Sequence, residues 1–308
     1  MEPVSEKGHR LRGSLILLAG AVIWGFAFAA QTSAMDDMGA LSYNTLRLLI
    51  GGVALALPAF ISAKRKYRDS KPDKSAVRRL IVCGLLCGAT LAAASLSQQY
   101  GIALTRSPGK SSFITSLYII MVPVIGLFTG RRPSAVLWPC AAAAAVGFLI
   151  LCGGFDVRPG PGELMLLACA VLYSVQITLV DRSLSLGVDP LCLSCAQFLA
   201  GGAMLTPFML AFDLPQAESV VRGLPSLLYV SLVSGALGFT FQIIGQRDCP
   251  PTPASLLMSL ESVFGALGGY IFLDAKLTPL ELCGCAIVLV AVTVAQIPFG
   301  SKKQKTSE

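Results

Sequence analysis

Glu261 carries the most pointed chemistry in the chain, an ionisable carboxylate inside the otherwise apolar run ASLLMSLESVFGALGGY. A carboxylate so placed can take up and release a proton or receive an ammonium group, and its plainer use is a hydrogen bond between helices. Arg47, in NTLRLLIGGVALALPAF, brings a planar fork of donors that matches a carboxylate on a ligand or on another helix. Its plainer use is to anchor helices while the stem carries the charge to a polar boundary. Gln98, Gln176, Gln197 and Gln242 are neutral donor-acceptors in equally apolar surroundings, with Gln99 beside the first. As glue between helices such bonds are worth about 0.6 kcal/mol each. Trp24 and Tyr173 stand about ten residues into their apolar stretches, away from the interfaces where membrane aromatics gather. They suit the lining of a cavity or ordinary packing, and Tyr118 is a further candidate of the same kind.

These side chains need elements to hold them, and the composition dictates which. The chain has 308 residues, 54% hydrophobic and only 13% charged, with a mean hydropathy of +0.71. Soluble domains carry about 25% charge, so the expected class is an integral membrane protein. A spanning helix needs about 20 mostly apolar residues. Stretches of that kind run over 14–34, 41–61, 80–100, 111–129, 134–152, 163–180, 190–212, 224–244, 254–273 and 279–299, an expected all-α fold of ten transmembrane helices. They are continuous runs such as LIVCGLLCGATLAAASL, unlike the ten-residue alternating strands of an outer-membrane barrel. On this frame Glu261 lies about seven residues into its span, roughly 10 Å deep at 1.5 Å per residue. Arg47, Gln98 and Gln99 fall in the outer halves of their spans, whereas Gln197 and Gln242 fall in the inner half near the depth of Glu261. Two polar clusters, an inner and an outer gate, are therefore expected, too far apart for one solute to touch Arg47 and Glu261 together.

With the N-terminus inside, the outer side keeps only Arg47, Arg106, Lys110, Arg158, Arg222 and Lys276, leaving the other 18 of 24 Lys and Arg inside, among them Arg131 and Arg132. The positive-inside rule then places both termini in the cytoplasm. The net charge of +7 reflects this bias and contact with anionic lipid heads, as for KRKYRDSKPDK, and not nucleic-acid binding. A basic start followed by Ala27-Phe28-Ala29 also resembles a cleavable signal, but cleavage there would remove part of the repeat described next.

The second half echoes the first. RLLIGGVALALPAF from Arg47 lies over QFLAGGAMLTPFML from Gln197, pairing Leu49 with Leu199, Gly51 with Gly201, Gly52 with Gly202 and Leu55 with Leu205. AVIWG lies over AVLYS, so Trp24 falls on Tyr173, and Gln98 and Gly101 fall on Gln242 and Gly245. Two sets of five spans enter the membrane from opposite sides, which is the inverted repeat of secondary transporters built around a central cavity. The expected organisation is a tail over 1–13, a first repeat over 14–152, an extracytoplasmic linker over 153–162, a second repeat over 163–299 and a tail over 300–308.

LLAGAVIWGFAFAA at 17–30, TRSPGKSSFITSLYIIMVP at 105–123 and ASLLMSLESVFGALGGYIFLDAKLTPLELCGCAIVL at 254–289 resemble the EamA family of the drug/metabolite transporter superfamily. Two departures are Ser262 where the family has proline after the glutamate, and Gly130-Arg131-Arg132 where it has an acidic residue. The resemblance implies ten helices, cytoplasmic termini in the cell membrane, and export of small polar metabolites such as amino acids by alternating access. Protons are the candidate coupling ion, and the remaining partners are the solute and the bilayer, with a monomer or homodimer as the assembly. A lipid flippase is the alternative. A membrane enzyme is disfavoured because the only histidine is His9 in the tail and no aspartate lies deep in a span. No GxxxxGK[ST] loop appears, and Cys192-x-x-Cys195 and Cys283-x-Cys285 lack further ligands nearby, so no cofactor or metal is expected.

Overall fold

Apolar runs this long have one way to satisfy their backbone, the helix, and the chain takes it. A computed structural model describes residues 6–68, 71–128, 135–151, 160–274 and 278–296, and every regular element among them is helical. In order these are α1 (Glu6–Ala34), α2 (Ala40–Lys66), α3 (Lys74–Thr105), α4 (Pro108–Thr115), α5 (Tyr118–Phe128), α6 (Leu137–Leu151), α7 (Pro161–Ser185), α8 (Pro190–Phe212) and α9 (Ala217–Leu228). A π-helical segment, Tyr229–Phe239, follows, then α10 (Thr240–Asp248), α11 (Pro251–Met258), α12 (Glu261–Leu273) and α13 (Pro279–Gln296). Proline in the first turn of α4, α7, α8 and α11 presets the backbone where no donor is needed. The side chains of Ser107 and Asp189 cap α4 and α8.

Eight of these helical stretches are long and apolar enough to cross a membrane: Gly8–Ala34, Ala40–Lys66, Lys74–Thr105, Pro108–Phe128, Pro161–Ser185, Pro190–Phe212, Ala217–Asp248 and Pro251–Leu273. The expected spans 134–152 and 279–299 meet α6 and α13, whose apolar parts, Leu137–Gly147 and Leu282–Ala291, are shorter. The residues around them, 129–134, 152–159 and 297–308, lie outside the described set. Arg131, Arg132, Arg158 and Lys276, the linker up to residue 159 and the tail 300–308 are therefore not placed.

Polarity is reversed relative to a soluble fold. Leu57, Phe60, Phe128, Phe208, Phe212 and Phe272 face outward, while Gln31, Arg47, Gln98, Gln99, Gln176, Gln197, Gln242 and Glu261 are buried. That distribution fits a hydrocarbon surround. One closely packed unit is the antiparallel pair α2 and α8. Asp213, just past α8, accepts the Ser42 N–H at the start of α2 (2.8 Å), and Asp189, ahead of α8, accepts the Ser62 hydroxyl near the end of α2 (2.9 Å). Glycine permits the close approach between them: a Cβ on Gly52 would stand 2.7 Å from Leu199 Cδ2, and one on Gly202 would stand 2.7 Å from Leu49 Cδ2. Arg106, Lys110 and Arg222 each meet a carboxylate from another element, those of Asp36, Glu163 and Asp37.

Candidate functional site

Two of the spanning stretches are interrupted midway. Pro108–Phe128 turns at Ser116-Leu117 between α4 and α5, and Pro251–Leu273 turns at Ser259-Leu260 between α11 and α12. Glu261 is thus the first residue of α12. Irregular backbone at membrane depth is tolerated where it is buried in protein or lines a cavity, and both are true here. A third irregularity, the π-helical Tyr229–Phe239, is of a kind often found at functional sites.

These features surround a partly open cavity lined by Trp24, Gln31, Arg47, Gln98, Thr115, Tyr118, Tyr173, Ser234, Phe239, Gln242 and Glu261, with Ala27, Phe28, Ile177 and Met258 completing the wall. Arg47, Gln98, Gln242 and Glu261, expected at separate depths, share this one space. Depth counted in residues along each span takes no account of the turns that interrupt two of the spans at Ser116-Leu117 and Ser259-Leu260.

Arg47 and Glu261 are each only 4% exposed, and among the described residues neither forms an ion pair. The Arg47 Nη1 donates to Gln31 Oε1 (2.7 Å), while its Nε has no partner. An arginine stays charged, so a buried guanidinium that has the Gln31 amide and the Tyr173 hydroxyl beside it but no carboxylate can receive an anion. Glu261 Oε1 accepts the Ser116 hydroxyl (3.3 Å), and the Tyr118 hydroxyl lies beside the same carboxyl.

Gln176 and Gln197 do not line the cavity but form a chain leading away from it. Gln242 Nε2 donates to Gln176 Oε1 (3.0 Å), and Gln176 Nε2 to Gln197 Oε1 (3.1 Å). With its nitrogen committed, Gln242 leaves its Oε1 unpartnered at the cavity wall. The aromatic wall is centred on Phe239, whose ring lies 4.9 Å from Trp24, 6.3 Å from Tyr173 and 5.4 Å from Phe198, centroid to centroid. The Trp24 indole donates to the Ser234 carbonyl (2.9 Å) in the π-helical segment.

Gln31, Ser116, Ser234 and Phe239 are absent from the sequence-derived set. Gln31 carried the same signal as the other glutamines, a polar side chain in an apolar run. Ser234 contributes a backbone carbonyl, and Phe239 is one phenylalanine among 15, so neither side-chain type marks them.

The profile of the EamA-like transporter family matches residues 11–153 and 160–296. An uncharacterized transporter of Archaeoglobus fulgidus is 26% identical over 301 residues, covering 95% of this chain and 88% of the relative. A protein of Streptantibioticus cattleyicolor named as a probable terminal-alkyne amino-acid exporter is 25% identical, covering 90% of each chain. The threonine/homoserine exporter of Escherichia coli is 25% identical, covering 90% of this chain and 88% of its own. A crystal structure with 19% identity superposes with a TM-score of 0.72 over 92% of this chain and 96% of its own, a likeness of fold. Apolar helices around a buried polar cavity and a family match across both halves lead to one conclusion: the chain is a multi-pass membrane protein and belongs to the EamA-like transporter family.

Proposed function

We propose that the protein is a secondary active exporter of small polar metabolites of the amino-acid kind, bound in the cavity between Arg47 and Glu261. The observation that carries this reading is a buried arginine and a buried carboxyl, with no ion pair between them, lining one cavity. Two relatives named as amino-acid exporters support the solute class. Arg47 receives the carboxylate of the solute, and Glu261, assisted by Gln242 Oε1, receives an ammonium group or a proton. A membrane potential of 100 mV supplies about 2.3 kcal/mol per charge moved, enough for tens-fold accumulation without ATP.

Ten spans arranged as two inverted repeats, 14–152 and 163–299 joined by 153–162, accommodate alternating access. Reciprocal packing supports that arrangement. Gly52 abuts Leu199 as Gly202 abuts Leu49, and Gly101 abuts Leu166 and the Gly162 carbonyl as Gly245 abuts Leu17 and the Gly13 carbonyl. Both termini are cytoplasmic in the plasma or inner membrane, and the unit is a monomer or homodimer. The test is flux of threonine and homoserine from liposomes holding the purified protein. Wild-type flux depends on pH, and Glu261→Gln flattens that dependence. Flux of the variant with an unchanged pH profile removes Glu261 from coupling.

A further inference from the structure

The two interrupted spans meet at their interruptions. Each is a tight turn of 3₁₀ type: Leu117 N–H bonds to Ile114 O (3.2 Å) and Ile119 N–H to Ser116 O (3.0 Å). On the other span Leu260 N–H bonds to Leu257 O (3.2 Å) and Ser262 N–H to Ser259 O (3.1 Å). α4 packs on α12 and α5 on α11, so the two spans cross with their turns together. The crossing is tight, since a Cβ on Gly265 of α12 would stand 2.7 Å from the Ser112 hydroxyl of α4. Tyr118 opens α5 as Glu261 opens α12. The Ser116 hydroxyl bonds Glu261 across the crossing, and the Tyr118 hydroxyl faces the same carboxyl. Ser116, Ser259 and Ser262 are fully buried, which leaves bulk water little access to these bonds.

The other ionisable groups that face Glu261 are Tyr173 and Cys169 of α7, and both also feel the charge of Arg47 on α2. Arg47, the one cation lining the cavity among the described residues, reaches Tyr173 and forms no ion pair with Glu261. At the crossing itself, Glu261 is tied to the other span by the Ser116 hydroxyl, with the unpartnered Tyr118 hydroxyl beside it, and by no positive charge.

We propose that Ser116 and Tyr118 are positioning residues that read the charge of Glu261, holding the two turns together when the carboxylate is ionised and releasing them when a proton or a solute ammonium neutralises it. A hydroxyl donating to a carboxylate makes a bond about twice as strong as one donating to a neutral acceptor. Mid-helix 3₁₀ turns are natural hinges. Charge at one atom pair is thereby converted into the freedom of two half-helices to pivot, which a rocking transporter requires. The assignment rests on Glu261 being the coupling carboxylate, and it adds how its charge reaches the scaffold.

Two readouts on the full chain in nanodiscs separate these claims, and neither needs a solute. Infrared difference spectra against Glu261→Gln follow the carboxyl itself, and hydrogen exchange of peptides covering 108–128 and 251–273 follows the turns. As pH rises from about 5 to about 9 and the carboxyl ionises, exchange at both turns, corrected for its intrinsic pH dependence, slows about fivefold in the wild type. In Glu261→Gln the corrected exchange is flat. In Ser116→Ala with Tyr118→Phe the carboxyl still titrates, but exchange at the turns no longer follows it, and Ser116→Thr retains the response. Should the double variant fail to fold, Tyr118→Phe alone halves the response or refutes it. Wild-type behaviour of exchange in the double variant overturns the role of the hydroxyls while leaving Glu261 as the coupling group. A carboxyl that does not titrate over this range overturns the coupling role and the proposal with it.

Discussion

Replacing Gly52 with alanine places a methyl group where α8 already stands. The added Cβ lies 2.7 Å from Leu199 Cδ2, 2.9 Å from Leu199 Cγ and 3.0 Å from Leu199 N. Nonbonded carbon contacts settle at about 3.5–4.0 Å, so room is short by roughly 0.5–1 Å. The leucine side chain can rotate away, but its backbone nitrogen cannot, and α2 and α8 must separate. Overpacking of this kind costs about 1–3 kcal/mol. Gly202→Ala meets Leu49 Cδ2, Cγ and N at 2.7, 2.9 and 3.1 Å, nearly the same environment with the two helices exchanged. The two variants should therefore lose the same stability, and the double variant less than their sum, because one separation of the helices relieves both clashes. Gly109→Ala, with nothing within 4 Å of the new atom, is the control and loses nothing. The assay is the midpoint of unfolding in mild detergent. Unequal losses at Gly52 and Gly202, or a strictly additive double variant, would refute the reciprocal packing and weaken the two-repeat architecture.

Gln176→Leu strands Gln242 Nε2 and Gln197 Oε1, the two atoms it now bridges. At about 1–3 kcal/mol for each orphaned group, a large drop in thermal midpoint is expected, whereas Gln176→Glu retains an acceptor for Gln242 and loses less. Asp213→Ala removes the bond to the Ser42 N–H at the start of α2 and should cost about 1 kcal/mol, as loss of an end cap does. Asp213→Asn keeps an acceptor oxygen and most of that stability, and equal losses in both variants would assign the effect to charge.

The apolar stretches were legible because hydrocarbon leaves the backbone no alternative to a helix, and the polar residues inside them were legible because each is costly. Their partnerships were not. Gln176, Gln197 and Gln242 stand out singly, yet that they form one chain depends on the rotation of three helices about their axes. The turns at Ser116-Leu117 and Ser259-Leu260 carry no proline or glycine, so nothing local announces them, and tertiary packing imposes them. The π-helical run Tyr229–Phe239 reads as an ordinary apolar helix. The sequence put Arg47 and Glu261 in separate clusters and the structure lines one cavity with both, since depth counted along a sequence ignores where a helix tilts or turns. The glycine pairs of α2 and α8 stood out in the sequence as internal echoes, but that each abuts a leucine of the other helix depends on how the two helices face each other.

The claim that most needs measurement is that Arg47 and Glu261 together form the solute site. Purified wild-type protein and the Arg47→Gln, Glu261→Gln double variant can be compared by thermal shift against pools of amino acids, sugars, nucleosides and amines, since a bound solute stabilises by mass action. The amino-acid pool should raise the wild-type midpoint and leave the double variant unmoved. Equal stabilisation of both proteins by that pool would place the solute elsewhere and contradict the assignment.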